Sequence, residues 1–507
     1  MSEEKKNIQP DTTIHDKKDT SSYRGIFKAT SIFGGVRVFE IIISIIRSKF
    51  VAMILGTTGI GISGLYHSST SLIRSITSFG LSTSAVRNVA AANSSGDINR
   101  INRVVSTIRR LVWITGGVGM AVTIILSPLL SKNAFGNYEY ILPFILLSVT
   151  LLLEQLADGQ MVVLRGLRKL SYLAKSRIIG LLIGLFVTIP LYYVWGVKAI
   201  APNLVLASLT TYLLSLYFSK KIPIQKVKMT FKETMDEGKG ILGMGFVLTL
   251  NGILVLGVHY VVRTSVATMG GISEVGFYTA GSAILNTYIG MIFNAMTTDY
   301  YPRLAGASHD VVKFRDTVNQ QGEIALLMAG PLLVVFLLFI PIVIVILYSK
   351  EFLPMTEYMQ WAAVGVVFRV IAWTIGYQFM AKGDTKTFIV NETVLSVISL
   401  IASLIGYRLF GKEGLGIAYL FIQLFSAIYY FIISHKKYGY TFGRALLRIF
   451  FIQLFLVLSI FLLVYLWDSP FHFVPGIALA GLGIWYSFKE LNKRIELVGY
   501  LKKKRKK

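Results

Sequence analysis

The chain has 507 residues, 54% of them hydrophobic and 15% charged, with a formal net charge of +25. That much apolar surface exceeds what soluble domains of ordinary size can bury, so a soluble protein is excluded and the chain reads as an all-α integral membrane protein. There are no cysteines, which excludes disulfides, thiolate metal sites and cysteine nucleophiles.

Residues 1–24 are polar and lack the apolar core of a cleavable signal peptide, so they read as a cytoplasmic tail ahead of an uncleaved first helix. Apolar segments long enough for one membrane crossing, about 20 residues, then recur to the end. They place fourteen helices at 28–55, 60–88, 104–131, 138–162, 173–195, 199–219, 241–266, 275–302, 320–348, 356–381, 386–409, 414–435, 446–467 and 471–489. Such lengths exclude the short alternating strands of an outer-membrane barrel. With the amino terminus inside, the outer loops hold only Lys132, Lys198, Lys350, Arg408 and Lys412 of the 51 Lys and Arg. The positive-inside rule is met with both termini cytoplasmic, and the charge follows topology rather than marking nucleic acid as a partner.

Gly64-Leu65-Tyr66 in the second helix finds a counterpart about 212 residues later in Gly276-Phe277-Tyr278. Six helices return the chain to the same side, so the expectation is two parallel six-helix lobes, 25–219 and 241–437, followed by two extra helices within 438–490. Between the lobes, residues 220–240 (KKIPIQKVKMTFKETMDEGKG) form a basic cytoplasmic linker, with an amphipathic stretch expected on the lipid surface. The tail 491–507, ending LKKKRKK, is expected to be drawn to anionic membrane lipid.

Charged side chains inside helices carry the functional signal, because one Arg at the centre of a crossing costs about 2.5–3.5 kcal/mol on insertion scales. Arg37, Glu40 and Arg47 share one face of the first helix, where Glu40 lies one turn from Arg37 and suits an intrahelical pair; Lys49 points elsewhere, as an anchor at the outer end. His67 and Arg74 lie on one stripe of the second helix. Helix 7 adds Asn251, His259 and Arg263, and helix 10 adds Arg369. The bland alternative is a set of structural ion pairs. Arg47, Arg74 and Arg369 together favour an anionic ligand, since a guanidinium donates paired hydrogen bonds to phosphate and never deprotonates. Glu154 and Asp158, four residues apart on helix 4, either share a proton or are bridged by arginines from other helices. Asn391 and Glu392 on helix 11, with Asn251, offer oxygens to a coupling cation. No catalytic motif, metal-ligand set or cofactor loop is present in the sequence, so an enzyme is not expected.

FVAMILGTTGIGISGLY (50–66) followed by SFGLSTSAVRNVAA (78–91) resembles the first helix pair of Wzx-type O-antigen and polysaccharide flippases, within the multidrug/oligosaccharidyl-lipid/polysaccharide (MOP) exporter superfamily. The resemblance implies translocation of a polyprenyl-pyrophosphate-linked oligosaccharide across a bacterial inner membrane by alternating access. Proton or sodium antiport is the implied drive, and polysaccharide polymerase and assembly proteins are the implied partners. Related lipid II flippases carry arginines on helices 1, 2 and 8. Arg37, Arg47 and Arg74 match the first two; helix 8 offers only Asp299 and Arg303 near its inner end, which leaves Arg263 and Arg369 as substitutes. In those relatives helices 13 and 14 line a groove for the lipid tail, a role that Phe471, Phe473 and Trp485 would suit. The competing readings are a multidrug efflux antiporter, whose cationic drugs the arginine excess would repel, and a membrane-embedded polysaccharide polymerase or ligase, which outer loops of at most about 15 residues disfavour.

Overall fold

The computed structural model describes residues 13–467 and 470–495, without the side chains of residues 13–38, 244, 246–248, 251, 288, 470 and 495. The helices are α1 (Thr13–Thr77), α2 (Leu81–Ser94), α3 (Ile98–Phe135), α4 (Ile141–Gly166), α5 (Leu170–Trp195), α6 (Ile200–Lys220), α7 (Phe231–Gly270), α8 (Ile272–Ala283), α9 (Gly290–Gly306), α10 (Val311–Leu338), α11 (Ile340–Leu347), α12 (Thr356–Ala381), α13 (Thr385–Tyr438), α14 (Arg444–Leu466) and α15 (Phe473–Ile495). They supply all fourteen crossings. α1 holds the first and most of the second, α8 and α9 share the eighth across a π-helical turn at Ile284–Ile289, and α13 holds the eleventh and twelfth. α1 begins inside the segment read as a tail.

One face of the bundle carries tight turns at Gly56, Gly196, Gly271 and Gly411, with φ of 63°, 54°, 88° and 60°. Each pairs positive φ with extended ψ, a combination that only glycine adopts without strain. The opposite, basic face carries the charged loops, where Asp97, Thr230, Asp310 and Asp384 cap α3, α7, α10 and α13. Hydrogen bonds from Lys437, Thr387 and Tyr438 hold the Asp384 carboxyl well below the usual carboxylate range and tie the start of α13 to its end.

The turn glycines fix the repeat. Gly56 and Gly271 are 215 residues apart, and so are Gly196 and Gly411. At the lobe interface a Cβ on Gly61 would lie 2.0 Å from the Ile272 carbonyl, while one on Gly276 would lie 2.1 Å from the Thr57 carbonyl. Both residue pairs exchange under the same 215-residue shift, as a pseudo-twofold axis requires. On that axis Thr58 and Ser273 hydroxyls meet at 2.9 Å. The offset of 212 expected from the sequence is therefore corrected to 215. A three-residue slip rotates a helix by only about 60°, so shared composition cannot resolve it, whereas a turn glycine can.

Further polar contacts close the glycine-turn face. The Glu351 carboxylate accepts from Thr57 N and Oγ1 at 3.1 and 2.7 Å, capping the second crossing from the other lobe. Lys49 donates to the Val345 carbonyl at the end of α11 at 2.5 Å, so it binds a helix end rather than standing as a free anchor. On the basic face the linker runs against α3. Gln225 N and Val227 N donate to Asn102 and Ser106 of α3, and Glu237 of α7 faces Arg103 at 3.4 Å. Those side chains satisfy backbone groups that a lipid surface could not.

The last two helices are joined to each other through Gln453 to Ser487, 2.7 Å, and α15 is tied to α10 of the carboxy-terminal lobe through Arg494 to Glu323, 2.8 Å. An apolar groove of about 290 Å³ lies between α12, α13 and α14, lined by Phe368, Phe431, Phe442 and Phe450. α15 does not line it. Phe473 stacks on Phe339, and Phe471 and Trp485 are exposed.

Because the chain has no native cysteine, a Thr58→Cys, Ser273→Cys protein should form one disulfide on mild oxidation. Mass spectrometry of linked peptides reads it directly; absence of the cross-link would contradict the 215-residue register.

Candidate functional site

In the amino-terminal lobe, Glu154 and Asp158 project from one face of α4 because residues four apart on a helix are neighbours. Arg74, near the end of α1, meets both: Nη1 to Glu154 Oε2 at 2.5 Å and Nη2 to Asp158 Oδ2 at 2.6 Å. Ser208 of α6 donates to the other Glu154 oxygen at 3.4 Å. The planar guanidinium spans the two acids, so the bridged arrangement is the one formed. Glu40 pairs with Arg177 of α5 at 3.6 Å. Arg47 lies close to Tyr192, which is bonded to Asn203. Arg47 has no ion pair among the described residues. The side chains of Arg37 and Asn251 lie outside the described residues.

The carboxy-terminal lobe is built differently. Arg369 on α12 donates to Tyr419 Oη at 3.1 Å and to the Leu285 carbonyl at 3.3 Å, and its guanidinium sits 5.2 Å from the Phe293 ring centre. Leu285 belongs to the π-helical turn, and its carbonyl also accepts the Gly290 N–H. Arg263 on α7 lies over Tyr278 at 5.9 Å, with its Nε buried and unpartnered among the described residues. Neither arginine has a carboxylate partner among the described residues. His259 is one turn from Arg263, and His67 reaches across from α1 into the field of both Arg263 and Arg74.

Arg369 stands in the wall between two cavities. One, of about 270 Å³, is lined by His259, Tyr278, Ser282, Asn286 and Tyr419 among others, with no carboxylate. The other, of about 500 Å³, is lined by Trp373, Tyr377, Gln423 and Glu392, whose carboxylate accepts from Tyr430 at 2.8 Å. Asn391 is buried away from that cavity with its Nδ2 unpartnered, because adjacent helical residues point about 100° apart. No group of three or more acidic or imidazole side chains able to hold a metal occurs among the described residues.

The 215-residue shift sets Glu154 opposite Arg369. The repeat has inverted its charge at that position. One lobe neutralises its own arginine, and the other presents arginine to a polar cavity. Tyr358 and Tyr419 were not singled out in the sequence, and Tyr278 only as part of the repeat, because aromatic residues in apolar spans look like ordinary packing.

Removing Arg74 should leave two carboxylates facing each other. A fully buried broken pair costs about 3–5 kcal/mol, but the Arg74, Glu154 and Asp158 side chains are 32%, 40% and 25% exposed. Arg74→Ala should therefore lower stability by roughly 1–2 kcal/mol, read as a lower Tm in detergent, with partial recovery on adding Asp158→Asn. An unchanged Tm would show the bridge to be idle.

Residues 50–357 match the family described as polysaccharide biosynthesis protein. The lipid III flippase of Escherichia coli (strain K12) is 24% identical over 354 residues, spanning 68% of this chain and 82% of its own length, and that of Shigella flexneri matches equally. Among solved structures, the lipid II flippase MurJ in an inward closed conformation gives a TM-score of 0.69 at 16% identity, covering 93% of this chain and all of that one. An inward-facing multidrug resistance MATE family transporter of the MOP superfamily gives 0.69 at 16% identity, over 80% of this chain and 94% of that one. The outward-facing form gives 0.57 at 15% identity, over 81% and 96%. With the family match covering more than half its length, the chain belongs to the polysaccharide biosynthesis protein family and carries the two-lobed fold of MOP-superfamily transporters.

Proposed function

We propose that this protein is a flippase that moves a polyprenyl-pyrophosphate-linked oligosaccharide from the cytoplasmic to the outer leaflet of a bacterial inner membrane. The observation that carries the reading is the pair Arg263 and Arg369, two guanidinium groups at membrane depth without a carboxylate partner among the described residues: Arg369 borders a cavity rich in hydroxyl and amide groups, and Arg263 lies over Tyr278 in its wall. A pyrophosphate supplies the missing negative charge, and the hydroxyls and amides suit sugar. The lipid III flippase relatives and the family support the same class of cargo.

The bias of Lys and Arg toward one set of loops supports a cytoplasmic setting for the basic face and both termini. The bundle is closed on the opposite face, so loading occurs from the cytoplasmic side. On α9, Asn294, Thr298 and Asp299 form an exposed polar stripe. Such a stripe is costly against lipid and suits a wall of the entry cleft. Separation of the Thr57, Thr58 and Lys49 contacts from Glu351, Ser273 and Val345 opens the outer side, while the polyprenyl tail stays in lipid. Candidate sites for the coupling proton or sodium ion are Glu392 and the Glu154, Asp158 and Arg74 cluster, where two acids surround one base. A polysaccharide polymerase and its assembly proteins would receive the flipped unit.

Arg263→Ala and Arg369→Ala should each cut surface polysaccharide at least about tenfold at normal protein level, since a charge-assisted hydrogen bond contributes about 1.5–3 kcal/mol. Arg369→Lys should keep part of the activity. Undiminished surface polysaccharide in both alanine variants would overturn the assignment.

A further inference from the structure

The amino-terminal lobe holds a third cavity, of about 460 Å³, on the basic face and apart from Arg263 and Arg369. Arg109, Arg110, Lys220 and Lys226 line it, and no carboxylate does. Its remaining wall is apolar and aromatic, with Trp113, Leu156, Tyr212 and Leu216. Arg110 is held by the Met229 carbonyl and by Thr234 at 3.2 Å. Arg109 is not: its Nε is buried without a hydrogen-bond partner among the described residues, and so is Oε1 of Gln160 in the same wall.

Buried polar atoms are normally paired. An orphan donor and an orphan acceptor, set among four cations and an apolar floor, define a ligand that is anionic, bears a hydroxyl and has apolar chains. Arg109 and Arg110 immediately precede the apolar run 111–130 of α3, which sets them at the headgroup end of that crossing. Lys226 comes from the linker, which Asn102 and Ser106 lay against α3.

We infer that this cavity binds a phosphodiester lipid of the cytoplasmic leaflet. Its phosphate pairs with Arg109, Lys220 and Lys226, its headgroup hydroxyl reaches Gln160, and its acyl chains cover Trp113 and Leu216. The bound lipid fastens the inter-lobe linker to α3 and so stabilises one setting of the lobes. The inference rests on the orientation proposed above, which puts the basic face in the cytoplasm. A polyprenyl phosphate shares the phosphate but has a single chain and no headgroup hydroxyl.

Purified full-length protein in detergent is mixed separately with dioleoylphosphatidylglycerol, dioleoylphosphatidylcholine, undecaprenyl phosphate and inorganic phosphate. Retained lipid is read by native mass spectrometry, and Tm is measured in parallel. Phosphatidylglycerol should be retained and raise Tm, with the other three well behind. Arg109→Gln with Lys226→Ser should weaken retention at least about tenfold, and Lys226→Ser alone, on the exposed linker, should weaken it about threefold. Equal retention by both variants and the unaltered protein overturns the site; an equal response to phosphatidylcholine does too. An equal response to undecaprenyl phosphate or inorganic phosphate overturns the lipid assignment. Orientation is tested separately by labelling a Lys226→Cys protein from each side of the membrane, and surface polysaccharide in the same variants reads transport itself.

Discussion

A guanidinium taken into a membrane must find negative charge, hydrogen-bond acceptors or water, because its desolvation is costly and it does not shed its proton. The two lobes meet this constraint in opposite ways. In the amino-terminal lobe Arg74 is satisfied internally by Glu154 and Asp158. In the carboxy-terminal lobe Arg369 is held among the described residues by a carbonyl, a phenol and an aromatic face, and Arg263 by an aromatic face with one nitrogen left over. The first arrangement is complete without a ligand. The second leaves positive charge without a carboxylate among the described residues, and that difference is why the proposed anion site lies in the carboxy-terminal lobe.

The lobes also share packed surface. At the glycine-turn face they meet through close backbone contacts at Gly61 and Gly276, a few hydrogen bonds contributing about 0.5–1.5 kcal/mol net each, and an apolar cluster that continues from Ile62 and Leu65 to Val275 and Phe277. Parting that face must therefore slide or expose apolar surface as well as break hydrogen bonds. The π-helical turn in the eighth crossing puts the Leu285 carbonyl, which also closes that turn by accepting the Gly290 N–H, beside Arg369. Binding at the arginine and bending of that crossing thus share one contact.

Much of the fold is legible in the sequence because hydropathy reports crossings directly. All fourteen expected helices have counterparts, and the two-lobe organisation follows from their number. The register was not legible: Gly64 and Gly276 look alike, but the axis relates Gly61 to Gly276. Nor was the path of the linker, which depends on Asn102, Ser106 and Arg110 of a distant helix. At the site, the spacing of Glu154 and Asp158 exposed their common face, yet their partner could be found only in three dimensions. Glu40 likewise meets Arg177 of another helix, a contact its own helix does not announce. Tyr419 and the π-helical turn leave no local signal, since tertiary packing alone brings them to Arg369.

The most direct measurement is a structure of the purified protein with a bound polyprenyl-pyrophosphate oligosaccharide, refined well enough to locate both phosphorus atoms. The expected map has them within ion-pair distance of Arg263 and Arg369, with Arg74 still spanning Glu154 and Asp158. Phosphates seated on Arg74 with its acids displaced, or Arg263 and Arg369 turned away from the ligand, would contradict the division of roles between the lobes.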